Sequence, residues 1–139
     1  MTTGTPQAIK MAFDLAKPPA TVWRTLTESE LLARWLMPND FKPIVGHRFT
    51  MQGKPNPHWD GTVHCEVLVV EEPSKLSHTW CGGGLETVLT WTLDPSASGG
   101  TILHLDHDGF LPKDAMAFKG IGDGWGKLGE RLASVLATL

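Results

Sequence analysis

The chain has 139 residues, of which 41% are hydrophobic and 19% are charged, and its formal net charge is −3 at pH 7. This length and composition predict one globular domain over residues 1–139, and the acidic balance with scattered Lys and Arg argues against nucleic-acid binding. The two cysteines lack zinc-site spacing, the segment from Met1 to Gln7 is polar, and no run of about 20 apolar residues occurs. These features predict a cytoplasmic protein without a disulfide scaffold, a signal peptide or a membrane span.

The first part of the chain predicts a strand and two short helices. Apolar and mostly polar residues alternate from Ile9 to Ala16, which is the period of a half-buried strand. Pro19 suits the first turn of a helix. Its apolar arc consists of Val22, Trp23 and Leu26.

A capping box is predicted at the start of the second helix. Thr27 and Glu30 have the spacing at which a hydroxyl and a carboxylate cap backbone amides reciprocally. The helix that follows ends at Pro38, and its apolar residues are Leu31, Leu32, Trp35 and Leu36.

The middle of the chain predicts a meander of five strands. These are His47 to Gln52, Thr62 to Glu71, Leu76 to Cys81, Leu85 to Leu93 and Thr101 to Asp108. Their connections are too short for helical crossovers, so neighbouring strands pair as antiparallel hairpins. The N-terminal strand joins the same sheet, and a long helix covers its apolar face.

That helix is amphipathic and follows a preliminary helical turn within residues 112–119. Its apolar face consists of Trp125, Leu128, Leu132, Val135, Leu136 and Leu139. A stripe of small residues runs beside it: Gly122, Gly126, Gly129 and Ala133. Because glycine costs a helix interior about 1 kcal/mol relative to alanine, the stripe predicts tight packing on the sheet or space for a ligand. The sequence favours tight packing.

The order and spacing of one set of residues allow a comparison with known families. The set is Pro19, Val22-Trp23, Leu26-Thr27, Leu32, Trp35, Gly46, Phe49, Gly61, Leu76, Thr79-Trp80, Trp91, Gly100-Thr101, Leu103, Leu105, His107, Gly109-Phe110 and Gly124-Trp125. It resembles the activator of heat-shock protein 90 ATPase homologue family, in the START-like (SRPBCC) superfamily. The resemblance implies an α+β helix-grip fold, in which a curved antiparallel sheet of about six strands wraps a long C-terminal helix. An apolar cavity between helix and sheet is part of that expectation.

The resemblance also suggests three kinds of function. Single-domain bacterial relatives look like proteins that bind a small apolar, aromatic or lipid-like molecule, and this is the leading hypothesis. The second is a cyclase-like, aromatase-like or hydrolase-like enzyme that uses the same cavity, with His107 as general acid and base. The third is a chaperone-associated interaction module that uses the sheet edge and the proline-rich loop from Gly53 to Asp60, which carries His58 and Trp59.

Ligand contacts are predicted on the inner face of the sheet and on the long helix. They are Phe49, Met51, Trp80, Trp91, Leu103, Leu105, His107, Trp125 and Leu128. Indole rings offer flat apolar surface and one N–H donor. His107 lies among leucines, which would lower its pKa and leave it neutral to bond a ligand. The alternative, which the sequence favours, is a core histidine bonded to protein groups.

Other chemistry finds little support in the sequence. His104, Asp106 and Asp108 alternate on the outer face of one strand, where steps of about 6 to 7 Å prevent three side chains from meeting at one metal ion. The chain has no nucleophile elbow, phosphate loop or dinucleotide fingerprint. We therefore predict no metal, no cofactor and no catalytic residue. The loop from Gly53 to Asp60 is open to interpretation as a pocket mouth, a stiff hairpin or a homodimer contact.

Overall fold

In the part of the chain that the structure describes, six strands form one curved antiparallel sheet, and a long helix packs on one of its faces. The computed structural model describes residues 7–57 and 59–139, so the first six residues and His58 lie outside the described part. In chain order the elements are β1 Gln7–Leu15, α1 Pro19–Thr27, α2 Ser29–Trp35, β2 Arg48–Gln52, β3 Thr62–Glu71, β4 Lys75–Gly82, β5 Leu85–Pro95, β6 Thr101–Phe110, a 3-10 turn Pro112–Asp114, and α3 Ala115–Leu136. Over the described residues, no helix has the length and hydropathy that crossing a membrane would need.

The strand order is β1-β6-β5-β4-β3-β2, so the predicted meander and the added N-terminal strand are confirmed. One row of inward side chains shows the register: Met11 pairs with Leu105, Leu105 with Trp91, and Trp91 with Leu76. The predicted strands agree with the observed ones to within one or two residues, and β3 has the predicted bounds. The predicted α+β helix-grip architecture is therefore confirmed.

The core forms between the inner face of the sheet and one face of α3. Inward residues of the central strands β5 and β6 are buried, while their outward neighbours remain partly exposed. From α3, Trp125, Leu132 and Leu136 are buried, whereas Leu128 and Val135 are half-buried. Trp125 is the centre of this packing, with its ring centroid 5.6 Å from that of Trp80 and 5.4 Å from that of Trp91.

The predicted capping box at Thr27 is wrong. Thr27 is the last residue of α1, and its hydroxyl donates to the Trp23 carbonyl at 2.8 Å. That bond turns the hydroxyl back into α1, and no side-chain hydrogen bond caps the start of α2 in the described part of the chain. Glu28 is the residue that precedes α2, and its carboxylate accepts from Arg24 at 2.8 Å.

The small-residue stripe of α3 divides into two kinds of position. Gly129 is buried, and a Cβ there would overlap the ring of Phe13 on β1. Gly122 also faces β1, with 3.8 Å between a Cβ and Ile9 Cδ1. Gly126 and Ala133 are exposed, and a Cβ at Gly126 would meet no atom within 4 Å. Close packing on β1 therefore accounts for a glycine at position 129, but it does not account for a glycine at position 126.

This division predicts opposite effects of two substitutions in one helix. Gly126→Ala should raise the free energy of unfolding by about 1 kcal/mol, because alanine is the better helix former and meets nothing. Gly129→Val should lower it by roughly 1 to 3 kcal/mol, because the added atoms overlap Phe13. Urea unfolding of both variants measures the two values. Equal shifts of the same sign would contradict the close contact at Gly129.

Candidate functional site

An open cleft of about 630 Å³ lies where the first turns of α3 face the tip of the β4–β5 hairpin. The helix side is formed by Met116, Ala117, Gly120 and Ile121. The sheet side is formed by Val63, Trp80, Cys81, Gly82, Gly83 and Leu85, and the rim by Asn56, Pro57, Trp59, Lys113 and Asp114. This volume lies in the range of roughly 300 to 1,000 Å³ that small-molecule sites occupy.

Two indole rings border the cleft. Trp80 projects from β4 onto the inner face, and its ring is also in contact with those of Trp125 and His107. Trp59 comes from the loop between β2 and β3, and its Nε1 donates to the Thr62 carbonyl at 2.9 Å. Each indole thus offers an apolar surface to the cleft from a fixed position.

Glycines create the space that the Trp59 ring occupies. A Cβ on Gly53 would lie 3.1 Å from Trp59 Cη2, and a Cβ on Gly82 would lie 3.0 Å from Trp59 Nε1. The loop itself is closed by a bond from the Gly53 amide to the Gly61 carbonyl at 2.7 Å. The loop therefore holds Trp59 across the end of the β4–β5 hairpin.

A chain of hydrogen bonds connects α3 to strands β4, β5 and β6 in the core next to the cleft. Trp125 Nε1 donates to His107 Nδ1 at 3.1 Å, His107 Nε2 lies 2.8 Å from Thr87 Oγ1, and that hydroxyl donates to the Trp80 carbonyl at 2.7 Å. An indole N–H can only donate, so Nδ1 of His107 is the acceptor and Nε2 carries the proton. His107 is therefore a neutral imidazole whose nitrogens are both bonded to protein groups.

Burial keeps two imidazoles on this face uncharged. It lowers the pKa of His107 to about 3, and the nearby His78 adds to this shift. Burial also lowers the pKa of His78 to about 4, although a bond from its Nδ1 to the Thr79 carbonyl, at 2.8 Å, opposes the shift. Neither side chain carries a proton to donate as a charged acid near neutral pH.

Of the nine predicted ligand contacts, Trp80 lines the cleft. The other eight are not among its described lining residues: Phe49, Met51, Trp91, Leu103, Leu105, His107, Trp125 and Leu128. The alternation of side chains along each strand correctly predicts which residues lie on the inner face of the sheet. Side chains of α3, however, cover the middle of that face. Phe49 packs in the core against other rings, with its ring centroid 5.0 Å from that of Phe41 and 5.1 Å from that of His78.

The predicted apolar face of the long helix begins at Trp125 and therefore leaves out the residues on the helix side of the cleft. Ala117 and Ile121 lie eight and four residues before Trp125, which places them on the same helical face. Extending the amphipathic pattern to the start of the helix would have found them. Leu85 and Gly83 could not be found in this way, because their position opposite the helix depends on the whole sheet.

The remaining candidates lie outside the cleft or have other partners. On the outer face, His104 Nε2 is 3.0 Å from Asp94 Oδ2, and Asp106 Oδ2 is 4.0 Å from Lys10 Nζ. In residues 7–57 and 59–139, no three His, Cys, Asp or Glu side chains are arranged to hold a metal ion. Cys65 is buried, which raises the pKa of its thiol, whereas Cys81 is only partly covered.

Comparisons with known proteins agree with this architecture. The family described as "Activator of Hsp90 ATPase homolog 1-like protein" matches residues 16–137. Protein MLL2253 from Mesorhizobium loti is 37% identical with a TM-score of 0.87, over 95% of this chain and 98% of that one. Protein BH1534 from Bacillus halodurans is 32% identical with a TM-score of 0.77, over 94% and 96%. CalU16 from Micromonospora echinospora, at 20% identity, a TM-score of 0.79 and coverage of 98% and 80%, shares the fold. No curated protein gives a significant match.

Proposed function

Because the chain belongs to the Activator of Hsp90 ATPase homolog 1-like family, whose START-like fold commonly binds hydrophobic ligands, we propose that it binds a small apolar or aromatic molecule. The site of this proposal is the cleft between the first turns of α3 and the tip of the β4–β5 hairpin. The observation that carries it is the open, largely apolar volume of about 630 Å³ bordered by Trp59 and Trp80. Binding is driven by removal of the ligand's apolar surface from water.

The charges at the rim support an uncharged ligand body. Lys113 Nζ donates to the Gly84 carbonyl at 2.9 Å and lies 3.5 Å from Asp114 Oδ1. Asp114 in turn accepts from the Leu111 amide at 2.9 Å. Since these rim charges already have partners, apolar contact is the main source of affinity at this site.

The position of His107 supports binding over turnover. A general acid or base must reach the proton that it transfers, within hydrogen-bond distance or through one water. His107 is fully buried, and its nitrogens are bonded to Trp125 and Thr87. We therefore prefer a binding protein to a cyclase-like or hydrolase-like enzyme. The unpaired Cys65 and Cys81 support the cytoplasm as its location.

Filling the cleft from Gly120 tests the proposal. Gly120 lines the cleft and a Cβ there meets no atom within 4 Å, so we expect Gly120→Leu to add apolar volume at the cleft. We expect the affinity for N-pentyl dansylamide, a neutral apolar fluorophore, to fall at least about 10-fold, which corresponds to roughly 1.4 kcal/mol. The unfolding free energy should rise by several tenths of a kcal/mol or more, about as far as glycine and leucine differ in helix propensity.

Gly126→Leu is the matched control. Gly126 lies on the same helix, is equally open to a new side chain and is not among the described cleft residues. This variant should gain similar stability and keep the affinity of the unmodified protein, measured by fluorescence titration. Unchanged binding by Gly120→Leu, or equal loss in both variants, would exclude the cleft as the site.

A further inference from the structure

A second depression, a groove of about 490 Å³, lies beside the cleft. Its own residues are Asp60, Thr62 and His64. The residues that it shares with the cleft are Asn56, Pro57, Trp59, Gly82 and Gly83. The two depressions therefore form one surface that continues around the indole of Trp59.

The groove and the cleft lie on opposite faces of β3. Val63 is buried on the inner face and lines the cleft. Thr62 and His64, its neighbours on either side, line the groove because successive side chains of a strand point to opposite faces. Trp59 is fixed at this boundary by its bond to the Thr62 carbonyl.

The two depressions differ in charge. In the cleft, Lys113 is already paired with Asp114. In the groove, Asp60 Oδ1 accepts from the Thr62 amide at 2.9 Å, and no ion pair or second hydrogen bond of this carboxylate occurs among the described residues. Asp60 is exposed, and the imidazole of His64 is another polar group that lines the groove. The groove is therefore suited to a cationic or hydrogen-bond-donating group.

We propose that the ligand is amphipathic, with an apolar or aromatic body in the cleft and a chain that passes Trp59 to place an amine beside Asp60 in the groove. This inference rests on the proposed function and adds the chemical class of the ligand. The indole of Trp59 contacts the chain where it crosses from one face of β3 to the other. An amine is favoured over a carboxylate, because the protein's net charge of −3 and Asp60 both repel an anion.

Three dansyl probes of similar length test this inference by fluorescence titration at low salt. Dansylcadaverine ends in an amine, N-pentyl dansylamide ends in a methyl group, and dansyl-6-aminohexanoate ends in a carboxylate. We expect dansylcadaverine to bind about 5-fold more tightly than N-pentyl dansylamide, the upper range for an exposed ion pair. The carboxylate probe should bind most weakly.

Asp60→Asn isolates the carboxylate, because asparagine keeps the oxygen that accepts from the Thr62 amide. It should abolish the preference for the amine and leave the affinity for N-pentyl dansylamide unchanged. Glu130→Gln is the control: it alters net charge equally at an exposed position of α3 outside both depressions, so the preference should persist.

The outcomes separate the two proposals. If N-pentyl dansylamide binds and Gly120→Leu prevents it, but the amine gives no advantage or Asp60→Asn keeps the advantage, the amphipathic ligand is excluded and the cleft stands. If no probe binds, or Gly120→Leu changes nothing, both proposals fall.

Discussion

Acidification from about pH 6.5 to about pH 4 should lower the free energy of unfolding by several kcal/mol through His78 and His107 alone. Burial lowers the pKa of His78 to about 4 and that of His107 to about 3, from an ordinary value of 6.5. Between these values the unfolded chain binds a proton on each imidazole while the native state does not, so stability falls as the pH falls. Well above pH 6.5 both imidazoles are neutral in the native and in the unfolded state, so the loss of stability caused by proton binding is absent there. Each histidine contributes up to about 1.4 kcal/mol per pH unit.

Variants separate the buried histidines from other acid-sensitive groups. His78→Leu should remove about half of the histidine-dependent slope, since leucine takes the buried position without a titrating group. His104→Gln is the control for loss of a histidine outside the core, because the His104 side chain is 46% exposed. Urea unfolding at a series of pH values provides the measurement. The same slope in the unmodified protein and in His78→Leu would show that His78 is protonated in the native state.

Replacing Trp125 should have the other large effect. Trp125→Ala is expected to lower the free energy of unfolding by about 3 to 5 kcal/mol, the usual cost of deleting a large aromatic side chain from a core. Trp125 is 1% exposed and is in contact with Trp80, Trp91 and His107. Thermal and urea unfolding measure the loss.

Trp125→Phe separates the hydrogen bond from the packing. Phenylalanine keeps an aromatic ring but leaves His107 Nδ1 without its donor, which should cost roughly 1 to 3 kcal/mol beyond the change in packing. The matched control is Trp91→Phe, at an equally buried indole whose nitrogen makes no hydrogen bond within the described residues. Equal losses in the two variants would mean that the bond to His107 contributes nothing.

Local patterns in the sequence account for most of the fold. Alternation of apolar residues predicts the strands because each strand has one buried face, and β3 begins as predicted after Gly61, whose φ of +90° suits a turn. The predicted capping box is wrong because Thr27 is the last residue of α1, where its hydroxyl donates to the Trp23 carbonyl, and Glu28 takes the capping position of α2.

The candidate site was harder to predict because it depends on contacts between distant segments. Leu103 and Leu105 were expected to touch a ligand, and parity placed them correctly on the inner face. The alternation of side chains along a strand does not show how much of the inner face is covered by the side chains of α3. Trp125 occupies the middle of the interface, so the open volume lies instead at the end of the helix, opposite Leu85.

The position of Trp125 also divides α3 into two parts that differ in burial. The turns after it are committed to holding the domain together, whereas those before it border open space and contribute few buried side chains. Substitutions in the leading turns should therefore cost less stability than substitutions in the trailing turns. Under the proposed function, such an arrangement would let one scaffold acquire new ligands through changes in residues 113–121 and the facing hairpin tip, without any redesign of its interior.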